Sequence, residues 1–564
     1  MSQAMRKFGP ADEVDFVIVG SGASGGVLAK QLSVAGFRVV VLEQGPFLHE
    51  EDFPHNEFKV VFQNALTNNW KTQPNTFRKT EQEKAKAQPA LLYGRMVGGS
   101  SVHFTANYWR FHEIDFIERS KRGLPSGTTF ADWPITYADL EPYYTKVEWE
   151  VGVSGQAGAS PFDPPRSKPY PLPPLPIKSS GALLEKGALK MGWHPYPAPI
   201  AILSRNYRGR AGCVHCGYCE GYGCEVGAKS SSLAAAIPDA IRTGRCEIRP
   251  LSYAFDVRLD AAGHATGVAY FDAAKKEQFQ KAKVVILAAN GAETARLLLL
   301  SKSSLFPEGL ANSSGYVGRN LMFNSAGIAT AQYEHPLNEY KSQIVTRVVH
   351  DFYELDPSVG FCGGGGMDMR FDQLPLGYAL WGLRPEVPTW GAEYKAEIQE
   401  NFTRTAYVFC HATSLPVETN SISLDPETKD DWGLPAARVT YKDHPDDLKT
   451  CKYLQDRAMI MLDGTGARRK WASPIGESEF GVHLLGTCRM GNDPKTSVVN
   501  ADHRTHDVAN LFLCDGSSFV TSGRGQPTMT IQALAFRAAD RIVLLAKRGE
   551  LGKMAPATAA ARGS

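Results

Sequence analysis

The chain has 564 residues, with 61 Lys and Arg against 59 Asp and Glu, a formal charge of +2, and 43% hydrophobic residues. No basic excess exists to neutralise phosphates, which argues against a general nucleic-acid binder. The length exceeds what one simple core fills, so two or more lobes are expected.

The start, Met1 to Glu13, is polar and lacks the apolar stretch of a secretory signal. No later segment approaches membrane-spanning length without charges, so the chain reads as soluble. Val14 to Val19 (VDFVIV) predicts a buried strand. GSGASG follows from Gly20 to Gly25, then an apolar-periodic helix to Ala35, then a strand from Arg38 to Leu42 ending at Glu43. That is one βαβ unit. Asn56 to Gln88 is polar, aromatic and poorly periodic, and reads as a loop or lid. Leu91 to Arg110 is a glycine-rich turn with apolar flanks. Pro161 to Pro176 is proline-rich and reads as an extended surface connection. Lys283 to Leu300 predicts a strand running into a helix. Ser342 to Val348 and Tyr407 to His411 alternate as antiparallel strands do. A turn-rich segment, His483 to Thr530, leads into a helix from Thr530 to Lys547.

This order predicts a discontinuous α/β cofactor domain over residues 12–50, 88–150, 225–325 and 480–548. Residues 51–87 are then a lid-like loop, 151–204 a connection, 205–229 a cysteine loop, and 326–479 a β-rich substrate domain.

The glycines have physical reasons. Gly20 permits the tight turn out of the strand, Gly22 lets backbone approach a pyrophosphate, and Gly25 lets helix pack on strand. A pyrophosphate there, against Ala23 and Ser24, would meet the positive end of the helix dipole. Glu43 sits about twenty residues on, where a carboxylate accepts hydrogen bonds from ribose hydroxyls. The motif alone does not separate FAD from NAD.

The rest of the chain does. GRMVGGSS (Gly94 to Ser101), DWPITYADLEPYY (Asp132 to Tyr144), ILAANGAETARLL (Ile286 to Leu298) and VGRNLM (Val317 to Met322) resemble the glucose-methanol-choline (GMC) oxidoreductases. So do NSISLDPETKDDWGLP (Asn420 to Pro435), HLLGTCRMGNDP (His483 to Pro494), NLFLCDGSSF (Asn510 to Phe519) and QPTMTIQALAFRAAD (Gln526 to Asp540). The resemblance spans nearly the whole chain. It implies an α/β fold, α+β overall, with a Rossmann-like FAD-binding domain built from discontinuous segments and a sheet-based substrate domain. It places Gly98, Gly99, Ser100 and Ser101 near the flavin and pyrophosphate. Asp515 and Gly516 would approach the pyrophosphate and ribityl chain, and Thr528 and Met529 the flavin ring.

Alcohol oxidation by a flavin needs a base for the hydroxyl proton and a hydride acceptor at N5. The resemblance makes His483 the base. The second family position is usually Asn or His before a proline; here it is Gln526. A carboxamide cannot accept a proton at working pH but can hydrogen-bond substrate, so Gln526 is expected to orient it. His103, His503 and His506 are read as structural. Trp381, Trp390 and several tyrosines offer faces for sugar rings, although core packing is the commoner role of an aromatic residue.

Cys213, Cys216, Cys219 and Cys224 lie within twelve residues, spaced C-x2-C-x2-C-x4-C in a glycine-rich loop. An iron–sulfur cluster, a four-thiolate zinc and free or paired cysteines compete, and the flavin context favours the first. Within the family, this loop, the segment Gly98 to Phe111 and the GAK after Cys224 resemble bacterial FAD-dependent glucose, gluconate, fructose and glucoside dehydrogenases. Their catalytic subunits carry such a loop, in several the site of a 3Fe–4S cluster, and Cys213, Cys219 and Cys224 best match a three-ligand pattern. Cys216 is extra, which leaves 3Fe–4S and 4Fe–4S both open.

The resemblance also implies a small subunit whose export signal carries both chains across the membrane to the periplasm, and a cytochrome as acceptor. The expected activity is oxidation of a sugar or glycoside hydroxyl, at C1 or C3 of a pyranose. The alternatives are an oxygen-using oxidase with a structural zinc or metal-free loop, and a non-catalytic flavin- or metal-binding protein.

Overall fold

The computed structural model describes residues 5–9, 11–337, 343–371 and 374–551. The run VDFVIV is rich in β-branched residues, and it forms the strand Val14–Val19 at the centre of a seven-stranded sheet. Val39–Leu42 pairs parallel on one side and the long strand Glu277–Leu287 on the other. Cys246–Arg249 extends one edge in parallel. Near its C-terminal end, Glu277–Leu287 also pairs in parallel with Leu511–Leu513. Its first half instead pairs antiparallel with Ala265–Phe271, which pairs with Tyr253–Leu259. The central parallel strands are nearly continuous apolar runs because helices and loops cover both faces. Ala23–Val34 packs against the C-terminal helix Pro527–Lys547.

A second sheet has six antiparallel strands in the order Arg469–Ala472, Ala326–Gln332, Thr405–Ala412, Gly365–Arg370, Arg347–Val349, Tyr196–Pro197. The helices Pro445–Thr465 and Ser179–Lys190 lie against it. The strand expected from Ser342 to Val348 is Arg347–Val349, and Ser342 itself lies outside the described residues. The stretch 151–204, read as a connection, also supplies Ser179–Lys190 and the edge strand Tyr196–Pro197.

The reading of Asn56 to Gln88 as irregular needs correction. Asn75–Arg78 pairs with Pro435–Thr440 and with Lys86–Ala87 in a third, four-stranded sheet. NTFR is too short, with one large apolar residue, to show a period of two. Side chains hold it in place: Thr76 donates to Asp425 at 2.8 Å, and Asn75 accepts from the Ala90 amide at 2.8 Å. No helix among the described residues is long and apolar enough to cross a membrane.

Candidate active site

The C-terminal ends of Val14–Val19 and Glu277–Leu287 open onto a cavity of about 400 Å³, the usual ligand position in an open α/β sheet. The GSGASG turn forms one wall. A Cβ on Gly25 would stand 2.0 Å from the Gly20 carbonyl oxygen, so glycine is required for helix and turn to close on each other. Gly20, at φ +94°, would meet the Ala288 carbonyl. Gly22 is different: a Cβ there meets only the Gly99 Cα, at 4.0 Å, and would project into open space. The protein keeps that space for something other than itself.

Gly20, Gly22, Ala23, Ser24, Glu43, Gly99, Ser100, Ser101, Asp515, Gly516 and Thr528 all line the cavity, with His483 and Gln526. Gly25, Gly98 and Met529 do not. Gly25 and Gly98 shape the turns behind the wall, and Met529 is wholly buried in the core on the inward face of its helix. Glu43 already accepts from the Ser21 amide (3.1 Å) and hydroxyl (2.7 Å) and the Gly45 amide (2.9 Å). Burial raises its pKa against those bonds. Asp515 is held by the Asn290 amide, the Thr294 hydroxyl and the Ser517 amide. Both carboxylates are fixed in place, as a preorganised cradle requires.

Burial first, then the nearby His411 and Arg370, drops His483 to a pKa of about 3. Its imidazole is therefore neutral at physiological pH and free to accept a proton. Gln526 is the residue before the helix Pro527–Lys547, and its amide nitrogen sits 3.1 Å from His411 Nδ1. The loop before it is pinned by Arg524, whose guanidinium is buried against Asp115 and Glu118.

Sequence reasoning missed part of this wall. His103, read as structural, lines the cavity; burial lowers its pKa to about 4, and its buried Nε2 has no hydrogen-bond partner. The only sequence signal was its place just after GGSSV. Glu220 and Gly221, the two residues after Cys219, also line it. Trp381 and Trp390 are 67% and 80% exposed and take no part. His503 is buried, with Nδ1 bonded to the Leu513 carbonyl, and His506 contacts Ser497, both outside the cavity.

One family model, described as GMC oxidoreductase, matches residues 14–325, and a second matches 416–535. The chain belongs to the GMC oxidoreductase family. It is 34% identical to 2-methyl-1,2-propanediol dehydrogenase of Mycolicibacterium austroafricanum, over 94% of this chain and 95% of that one. It is 27% identical to the gluconate 2-dehydrogenase flavoprotein of Pantoea cypripedii, over 94% and 93%. Aspergillus oryzae formate oxidase shares the fold, with a TM-score of 0.66 at 16% identity over 96% of this chain and 99% of that one.

As a GMC oxidoreductase the chain is an FAD enzyme acting on alcohol or sugar hydroxyls. The open space beside Gly22 and the unpartnered His103 Nε2 both fit a polar cofactor in this cavity. Gly22→Val should leave the fold intact, since a Cβ there meets only the Gly99 Cα at ordinary contact distance, yet cut flavin retention about tenfold. The ratio of flavin absorbance to protein after gel filtration measures this; an unchanged ratio counts against the cradle.

None of the ten cysteines, including the four of the loop, is paired in a disulfide. Lys229, the lysine of GAK, is buried and donates to the carbonyls of Phe104, Cys219 and Tyr222, which fixes the loop to the cavity wall. The His215 amide donates to Cys213 Sγ at 3.4 Å and the Lys229 amide to Cys224 Sγ at 3.5 Å. Among the described residues, the metal-ligand atoms gathered within 4.8 Å of one another are those of His55, Cys216 and Glu225, not the four thiols as a set. A tetrahedral zinc with bonds of ~2.3 Å needs its sulfurs about 3.8 Å apart.

Proposed function

We propose that this GMC oxidoreductase is a dehydrogenase of a sugar or glycoside hydroxyl, at C1 or C3 of a pyranose, that passes electrons to a protein partner. One observation carries the reading. The residues that would cradle FAD, His483, Gln526 and the two residues after Cys219 line one cavity.

His483 takes the hydroxyl proton on its neutral imidazole, and Gln526 orients the substrate by hydrogen bonding. When bound, FAD supplies the hydride acceptor. Cys213, Cys219 and Cys224, with Cys216 beside them, would hold an iron–sulfur cluster that supplies a one-electron relay. Thiolates on different irons of a cluster stand farther apart than thiolates on one zinc, which suits sulfurs that are not gathered within 4.8 Å. Amide donors to Cys213 and Cys224 suit thiolate ligands as well. A partner is supported by the likeness to a protein named as the flavoprotein of gluconate 2-dehydrogenase. A small subunit bearing an export signal, a cytochrome acceptor and a periplasmic location complete the reading.

Anaerobic purification with any small subunit encoded beside it, followed by iron and acid-labile sulfide per flavin and an EPR spectrum, tests it. Three or four irons with matching sulfide are expected, and the spectrum assigns the cluster type. Flavin without iron, or with one zinc, removes the relay and favours an oxygen-using oxidase with a structural cysteine loop. Flavin that no sugar or diol bleaches would rule out the dehydrogenase altogether.

A further inference from the structure

Behind Gln526 lies a chain of buried polar groups that the reaction as described does not use. His411 is on the strand Thr405–Ala412, and Asp368 and Arg370 are on its neighbour Gly365–Arg370. His411 Nε2 is 2.7 Å from Asp368 Oδ2, and the His411 side chain is 4% exposed. Arg370 grips Asp368 through Nε (2.5 Å) and Nη2 (3.0 Å), and Asn107 donates to it at 3.2 Å. Arg370 Nη1 reaches Glu220 in the cysteine loop at 3.2 Å. Trp109 stands edge-on to the His411 ring at 5.3 Å.

These contacts settle the hydrogen positions. A carboxylate paired with arginine only accepts, so His411 Nε2 carries the proton shared with Asp368. Arg370 Nη2, 3.2 Å from the same nitrogen, is a donor and bonds Asp368 instead. In the neutral ring His411 Nδ1 is then an acceptor, and the Gln526 amide must face it with an N–H. The Gln526 side chain bonds His411 through its Nε2 and lines the cavity, so its Oε1 is the end turned to the space beside it. Gly525 allows the approach: at φ +111°, a Cβ there would stand 2.8 Å from the His411 Cβ.

We propose that His411, anchored by Asp368, is a positioning residue that turns the Gln526 carbonyl into the cavity to accept a hydrogen bond from a second substrate hydroxyl. The hydroxyl being oxidised has one proton, and it goes to His483. An acceptor at Gln526 therefore needs another O–H, on the carbon next to the reacting one or close to it. The substrate class is a vicinal diol or polyol, and a simple monoalcohol leaves the carbonyl unpaired. This inference rests on the reading in which Gln526 faces substrate.

The test compares anaerobic flavin reduction of the holoenzyme by matched pairs: 2-methyl-1,2-propanediol against 2-methyl-1-propanol, and D-glucose against its 2-deoxy and 3-deoxy analogues. Losing a hydrogen bond to an acceptor that lines the cavity should cost about tenfold in the specificity ratio. Gln526→Leu should erase that ratio. His411→Asn, whose short amide reaches the Nδ1 position, should keep it. His411→Gln, whose longer amide reaches Asp368 instead, should lose it at unchanged flavin content. If Gln526→Leu erases the ratio and His411→Gln preserves it, the positioning role is overturned. If Gln526→Leu leaves the ratio intact, or no pair reduces the wild-type flavin, the underlying reading falls and the inference with it.

Discussion

Replacing His483 with alanine should slow anaerobic flavin reduction by about 10²–10⁴-fold, the usual contribution of a general base, while flavin content stays that of the wild type. His483 lines the cavity beside the turn from Gly20 to Gly25. Its pKa gives the reaction a distinctive pH dependence. A protonated imidazole cannot take the hydroxyl proton, so the rate falls where His483 gains its own. Burial, then His411 and Arg370, moves that point down from 6.5 to about 3. The acid limb of flavin reduction in the wild type should therefore lie well below pH 6.5, with a flat profile from pH 6 to 8 on the part of this group. Gln526→Leu should keep the same acid limb, because an amide does not titrate. A His483→Ala rate within about threefold of wild type would assign the proton transfer elsewhere, with His103 the next group in the wall.

Much of this cradle was legible in the sequence because its constraints are local. Gly25 must be glycine for a reason that lies five residues away, at the Gly20 carbonyl. Strand, turn and helix are contiguous, so spacing alone reveals them. His483 and Gln526 are proposed through resemblance, since a histidine beside two leucines carries no signal of its own. The His411–Asp368 pair was invisible. The two residues are 43 apart, on neighbouring antiparallel strands, and meet only because of the sheet register. Asn75–Arg78 was missed for a related reason. One of its two partner strands, Pro435–Thr440, lies more than three hundred residues on, and four residues show no period. Met529 was assigned to the flavin along with Thr528, but successive residues of a helix face about 100° apart. Only Thr528 reaches the wall.

Arg524→Ala should destabilise the chain by about 3–5 kcal/mol, the range for removing one partner of a buried ion pair. The Arg524 side chain is fully buried, and its two carboxylate partners, Asp115 and Glu118, are 0% and 3% exposed. Arg524 Nε also donates to the Tyr353 carbonyl at 2.6 Å, and Tyr353 donates back to Asp115 at 2.7 Å. Alanine leaves two carboxylates with little water and no guanidinium bonded to them, which is the costly half of the bargain that a buried pair represents. Changing all three groups together, Arg524→Met with Asp115→Asn and Glu118→Gln, should recover most of the loss, because the unpaired charges are then gone. The consequence for the site follows from distance along the chain. Arg524 is two residues before Gln526, so the same ion pairs that hold the loop also set where the amide stands against His411. Arg524→Lys keeps the charge but lacks the fork that spans both carboxylates. It should fold with a smaller loss of stability and still blunt the preference for a diol over its monohydroxyl analogue. Urea unfolding of each variant, read beside that preference, separates the two effects. A loss under about 1 kcal/mol for Arg524→Ala would mean that water or a rearranged loop replaces the guanidinium, and the loop would then not be what fixes Gln526.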